Sequence, residues 1–464
     1  MRASRRGFLR GLAAAGGGTL AATTLSAQTQ GHAGHVTTPA VPVPAVRRQA
    51  SRTRGDARPL PVHTPDVPHL PWKMVTGAKE FVLRPQLVRT EFLPGRTVDA
   101  WGFNGSIPGP TVEVNEGDRV RFIVENQLPE PYSMHWHGLE VPINMDGAPG
   151  ISQPLIPPGG RFVYEFTLHQ NGTFFYHSHM AMQEMMGLIG LFIVHPRTAH
   201  APLVDRDFGL VLQGWAILPN NTIPNSLAME FNWLTLNGKS GPATTPMLVK
   251  RGERVRIRMV NLGMDHHPMH LHGNTFHVTG TEGGRIRPPY REPGNTALVG
   301  VAQSRDIEFV ANNPGDWMLH CHLPHHMMNQ MVSMVGPIMA GHQKGMRTGS
   351  MEPGMGVVEG RALSSENGPT FGRTVAIGAE GERGASHMLG PQHTPGGQRV
   401  PGFPQDMFMV MDDMFKDKPE TYGLAPGWTG GMMGMMTLVR VLEPDLFDKI
   451  QALQTEQAQG EAAR

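Results

Sequence analysis

The sequence predicts an all-β protein built from two duplicated Greek-key β-sandwiches, and three observations lead there. Short segments of alternating polar and apolar residues, bounded by Gly and Pro, recur along the chain; examples are Phe81 to Phe92, Thr111 to Asn126, Arg161 to Leu168, Arg254 to Asn261 and Asp306 to Val310. Alternation with period two marks a strand with one buried face, and no long run of helical period interrupts the pattern. The chain also repeats itself. GDRVRFIVEN from Gly117 realigns with GERVRIRMVN from Gly252 at an offset of 135 residues, and NGTFFYHSH from Asn171 with PGDWMLHCH from Pro314 at an offset of 143. FNG at Phe103 to Gly105 has its partner in LNG at Leu236 to Gly238. A sandwich of roughly 130 residues has been copied once.

The segments follow in order. Residues 1–27 read as a twin-arginine export signal: Arg5 and Arg6 precede a short, Gly-rich, weakly apolar run that ends with a cleavage site after Ala27. That route carries folded proteins, so a periplasmic or secreted location is expected, with no membrane span in the mature chain. Residues 28–70, rich in Pro, Ala, Thr and Arg, read as a linker. The first sandwich is placed at 71–198 and the second at 205–340. Residues 341–464 form a Gly- and Met-rich C-terminal extension, closed by an apolar strand at Thr437 to Leu442 and a helix from Pro444 with Leu446, Phe447, Ile450 and Leu453 on one face. A formal charge of +1 over 464 residues gives no general attraction to nucleic acid or to an anionic membrane. Hydrophobic content of 39% with 57 Gly and 41 Pro suits turn-rich β-domains.

The chemistry lies in four His-x-His pairs: His135/His137, His177/His179, His270/His272 and His320/His322. On a strand, residues i and i+2 share a face, so four pairs can present eight imidazoles, and the residue between each pair faces away. The last pair encloses Cys321, the only cysteine. With one cysteine no internal disulfide can form, and a metal explains why an exported chain keeps it. Cys321, His267, His326 and Met331 supply a thiolate, two imidazoles and a thioether, the ligands of a blue copper electron-transfer site with a weak axial methionine. The offsets carry these four positions onto Ser178, Tyr132, Gln183 and Leu188 in the first copy. Copy one keeps its paired histidines and lacks every ligand of the blue site.

HWHG at His135, HSH at His177, HPMHLHG at His267 and HCHLPHHMMNQM at His320 resemble the multicopper oxidases, in particular the two-domain bacterial laccases with the blue site in domain two. The resemblance covers about residues 75–335. It implies two cupredoxin-like domains and four coppers per chain: one type 1, one type 2 and two type 3. By that resemblance His135 and His270 hold the type 2 copper, and His137, His177, His179, His272, His320 and His322 hold the type 3 pair. Only 87 residues separate His179 from His267, too few for the middle domain of three-domain relatives. Two-domain members form homotrimers whose clusters lie between domain one of one chain and domain two of the next. The resemblance further implies one-electron oxidation of a donor, passage through Cys321 to His320 and His322, and reduction of dioxygen to water. Asp146 matches the acid that orients cluster water and assists proton delivery. A second acid is common just after the blue-site histidine; here Met327 stands there, so that group must come from elsewhere.

Two donors fit: a phenol or similar small-molecule reductant, as in laccases, or Cu(I), as in a cuprous oxidase of copper tolerance. The methionines argue for the second, because thioethers suit Cu(I), yet methionine is also an adaptable core filler. Met180 to Met186 are expected to fill core, whereas for the tail methionines, Met432 to Met436 among them, a Cu(I)-collecting or lid role and core packing are both left open. Asp265, beside His267, reads first as a solvated loop aspartate and second as a group that takes a proton from an organic donor.

Overall fold

The computed structural model describes residues 58–217, 221–228, 231–327 and 410–462. The export signal, the linker as far as residue 57, Met331 and the tail from 341 to 409 lie outside those residues. Within them the protein is almost entirely sheet.

The first sandwich packs two four-stranded sheets. One orders Trp72–Val75, Ala78–Leu83, Arg119–Glu125 and Arg161–Thr167; the other orders Gly109–Asn115, Ile189–His195, Gly172–Ser178 and Met134–His137. Two expected strands are each two strands in the structure. Thr111 to Asn126 turns at Gly117, whose φ of 90° only glycine adopts at low cost, so its halves enter opposite sheets. Phe81 to Phe92 breaks at Arg84, before Pro85, and its second half leaves to form a hairpin, Pro85–Leu93 with Arg96–Phe103. That hairpin buries Val88, Phe92 and Val98 with Trp215 and Trp233 of the second sandwich.

The second sandwich pairs a larger sheet, which includes Arg206–Trp215, Arg254–Asn261, Gln303–Val310 and Phe276–Thr281, with a five-stranded sheet. The latter orders Met247–Lys250, Met436–Leu442, Gly315–Cys321, His267–Leu271 and Thr296–Val299. The domain limit at 340 is thereby corrected. Met436–Leu442, read as part of an extension, is an interior strand of the sheet that bears Cys321. The following helix, Pro444–Ala462, seats Phe447 and Ile450 against Leu248 and Leu442. Fully buried Arg440 pins the return by bonding Asp316 at 2.6 Å and the carbonyls of Glu420 and Tyr422.

The last residues of the expected linker are likewise part of the fold. Leu60, Val62, Val67 and Leu70 are buried, and apolar burial is what holds such a segment down. Thr64 accepts from Thr111 of sandwich one, while Asp66 accepts from Thr245 of sandwich two at 2.6 Å. Between the sandwiches lies an ionic seam. Arg256 and Arg258 both grip fully buried Asp207, Arg258 reaches Thr173 at 2.7 Å, and Thr173 donates to Asp306.

Candidate metal centres

In each sandwich two neighbouring antiparallel strands carry the paired histidines in the same register. His135 lies opposite His177, and His270 lies opposite His320. Strand alternation sends Met134 and Trp136 inward, where Trp136 stacks on Phe122 at 4.4 Å between centroids, and sends His135 and His137 to the sheet end. The result is a quartet of imidazoles in each sandwich. His135 lies 5.3 Å from both His177 and His179, and His270 lies 4.8–5.6 Å from His272, His320 and His322. His179 and His322 are exposed, so each quartet opens at the surface. Among the described residues no ring contact joins one quartet to the other.

Hydrogen bonds set which nitrogen points inward. His135 Nδ1 donates to the Asp146 carbonyl at 2.7 Å, His320 Nδ1 to the Cys321 carbonyl at 2.9 Å and His270 Nδ1 to the Asn295 carbonyl at 2.8 Å, leaving each Nε2 as the free lone pair. His177 Nε2 stands 3.3 Å from His137 Nδ1, and His272 Nε2 stands 2.9 Å from His320 Nε2. Burial, with neighbouring imidazoles second, takes His137 down to about 4 and lowers His272 as well. These rings are neutral at ordinary pH, which is the form that binds a metal.

Behind the second quartet a separate triad converges. His267 Nδ1 and His326 Nδ1 are 3.2 Å apart, and Cys321 Sγ lies 3.7 Å and 3.3 Å from them, all three residues fully buried. Those edges suit a metal held by bonds of about 2.0–2.3 Å, so the donor set fits a trigonal His2Cys site. Burial drives His267 down to about 3 and the Cys321 thiol up to about 12. The thiol therefore keeps its proton until a cation takes its place. Met435 clamps the pocket from the C-terminal segment: its N–H donates to the His326 carbonyl and its carbonyl accepts from the Cys321 N–H. His325 stacks 4.3 Å from His326 but is exposed and outside the triad. Asp265 Oδ2 is 3.4 Å from His326 Nε2, and that imidazole holds its carboxyl below the usual range.

The corresponding place in sandwich one is closed by hydrogen bonds. Ser178 Oγ donates to Gln183 Oε1 at 2.8 Å, Gln183 Nε2 donates to the Pro131 carbonyl, and Tyr132 is fully buried with its hydroxyl on Met134. Asp146 sits beside His135, Oδ1 3.5 Å from Nδ1. Sequence reasoning passed over Glu184, whose Oε1 lies 3.1 Å from His177 Nδ1. The signal was present, because the offset of 143 residues places Glu184 at Met327, the position inspected in the second copy. Of the tail methionines, Met432, Met433, Met435 and Met436 are buried, and only part of Met180 to Met186 is core, with Met185 buried and Met182 exposed.

Two regions, residues 86–199 and 218–336, each match a family model described as Multicopper oxidase, and together they span half of the chain. The chain belongs to the multicopper oxidases. Copper is the metal of that family, and the His2Cys triad fits it. Relatives of this multicopper oxidase include Copper resistance protein A of Pseudomonas syringae pv. tomato, 41% identical over 123 residues, which are 26% of this chain and 20% of the relative. Laccase-2 of Botryotinia fuckeliana is 30% identical over 246 residues, 48% of this chain and 41% of the relative. The chain thus spans less than half the length of these two curated relatives. Among solved structures it is similar to the Blue Copper Oxidase from Nitrosomonas europaea, with a TM-score of 0.50 and 32% identity over 54% of this chain and 81% of that one.

Proposed function

We propose that the protein is a laccase-like oxidase that couples one-electron oxidation of phenolic or similar donors to reduction of dioxygen to water. The observation that carries this reading is the covalent link between the two kinds of centre. Cys321, in the His267/His326 triad, is joined by single peptide bonds to His320 and His322 of the quartet. A binding or storage protein has no need of that wiring. The type 1 copper is assigned to His267, Cys321, His326 and Met331; the type 2 to His135 and His270; the type 3 pair to His137, His177, His179, His272, His320 and His322. When bound, copper supplies one-electron transfer, and four electrons with four protons balance one dioxygen reduced to two waters. The chain's own part is to aim the imidazoles, to bury the thiolate, and to keep the Asp146 carboxylate beside the His135 end of the quartet.

Neither quartet alone closes a three-copper cluster, so we assign the active unit to a homotrimer in which domain one of one chain faces domain two of the next. Apolar side chains beside each half-site support this. Ile143 and Ile151 flank Asp146 and are 69% and 83% exposed, and Leu298, on the edge strand whose Thr296 bonds His270, is 56% exposed. A periplasmic or secreted location rests on the Arg5–Arg6 signal; among the described residues no helix is long and apolar enough to cross a membrane.

A second reading, cuprous oxidase in copper tolerance, is favoured by one cluster: Met432 and Met436 pack with Met318 and Met327, the last directly following His326. Steady-state oxidation of Cu(I) and of a phenol by the same preparation decides between the donors. For the oxidase itself, a chain carrying His137→Ala and His179→Ala is refolded with one carrying Cys321→Ser, each inactive alone. Mixed rings regain part of the activity if domains from different chains share a cluster. Mixed, copper-loaded rings without activity defeat the trimeric assignment.

A further inference from the structure

We propose that Glu184 is a positioning residue that, beside the Ser178 carbonyl on the same nitrogen, holds the His177 ring by Nδ1–H so that Nε2 is the nitrogen offered to copper; this rests on the oxidase reading above. His177 Nδ1 faces Glu184 Oε1 at 3.1 Å, and its Nε2 faces His137 Nδ1 at 3.3 Å. The imidazole is therefore strung between a carboxylate and the interior of the quartet. A carboxylate on the far nitrogen orients a ligating imidazole and makes its other nitrogen more basic.

Comparison of the two copies isolates what the carboxylate adds. His177 and its counterpart His320 both place Nδ1 on the next residue's carbonyl, at 2.7 Å and 2.9 Å. Only His177 has an acid as well, because the residue at Glu184 in copy one is Met327 in copy two. The first quartet thus has acids at both ends, Asp146 by His135 and Glu184 by His177, and no acidic side chain among the described residues bonds a histidine of the second quartet.

Glu184 is held in place by what replaced the blue site. It ends the single-turn helix Ala181–Glu184, and the preceding Gln183 anchors that turn through Ser178 and the Pro131 carbonyl. Ser178 and Gln183 are the counterparts of Cys321 and His326. The closed pocket of domain one therefore serves as the mount for a carboxylate on the cluster side.

The test uses the full-length chain with Glu184→Gln, which retains an acceptor oxygen, and Glu184→Leu, which does not. In copper-free protein labelled with 15N-histidine, long-range 1H–15N spectra should give His177 as the Nδ1–H tautomer in all three chains, with its Nδ1 resonance displaced from wild type in Glu184→Leu only. In chelator competition, Glu184→Leu should lose about 10–100-fold in affinity for one cluster copper, and Glu184→Gln should stay close to wild type. A Glu184→Leu chain that matches wild type in both measurements overturns the proposal, and so does a Glu184→Gln chain as weak as Glu184→Leu. If Glu184→Leu fails to fold, an Nε2–H tautomer for His177 in wild type overturns it alone. A wild-type chain that never takes up four coppers defeats the oxidase reading and leaves the copper-free tautomer measurement standing.

Discussion

Cys321 is the residue on which the proposed electron path turns. Its sulfur lies 3.3 Å from His326 Nδ1 in a dry pocket, so replacement by an oxygen removes the soft donor with little change of shape. Cys321→Ser should abolish the intense blue absorption and oxidase turnover while type 2 copper stays visible by electron paramagnetic resonance. Blue colour retained in that variant rules out the only cysteine as the ligand. The histidines and Cys321 were legible in the sequence because strand alternation turns a two-residue spacing into a shared face. Glu184 was passed over although the offset of 143 residues marks its position, since its approach to His177 depends on the helical turn Ala181–Glu184 that follows the strand. Met331, expected as the axial ligand, lies outside the described residues.

At the scale of elements, Asp207 ties its strand, Arg206–Trp215, to the neighbouring Arg254–Asn261 through two arginines. Burial alone would raise its pKa, but Arg256 and Arg258 overcome that and hold the carboxyl far below its ordinary value. Because the folded value is depressed, the stabilisation is whole above an unfolded pKa of about 3.9 and is lost as pH falls below it. Asp207→Asn leaves two buried guanidiniums short of their partner and should cost about 3–5 kcal/mol at neutral pH. Urea unfolding at neutral pH and again at about pH 3 checks this, with the gap between variant and wild type narrowing at acid pH. A neutral-pH loss below about 1 kcal/mol would mean the seam is replaceable. The two sandwiches were legible from alternation and repetition, each visible within a few residues. Met436–Leu442 was not recognised as part of the second sandwich, because it pairs with Gly315–Cys321 across more than a hundred residues of chain. No local pattern records such a partner. For the same reason the sequence leaves the neighbouring methionines open between a Cu(I) or lid role and core packing, and in the structure they are buried.

For the whole molecule, the duplication is asymmetric by design of its side chains: one copy has a His2Cys pocket and the other a Ser178–Gln183 hydrogen bond in its place. Fully loaded protein should therefore give about four coppers per chain by elemental analysis, since two domains contribute one blue site and share the halves of one cluster. A value near five with a second blue signal would contradict the closed pocket in domain one. The clamp at Met435 has a consequence in time. Cys321 and His326 are made more than a hundred residues before Met435, so their pocket lacks that clamp until translation has passed it. A chain cut between His326 and Met435 has every histidine of the quartets and triad and the cysteine but lacks the backbone groups that bond Cys321 and His326. Copper held at the triad should therefore report that the chain has been read past Met435.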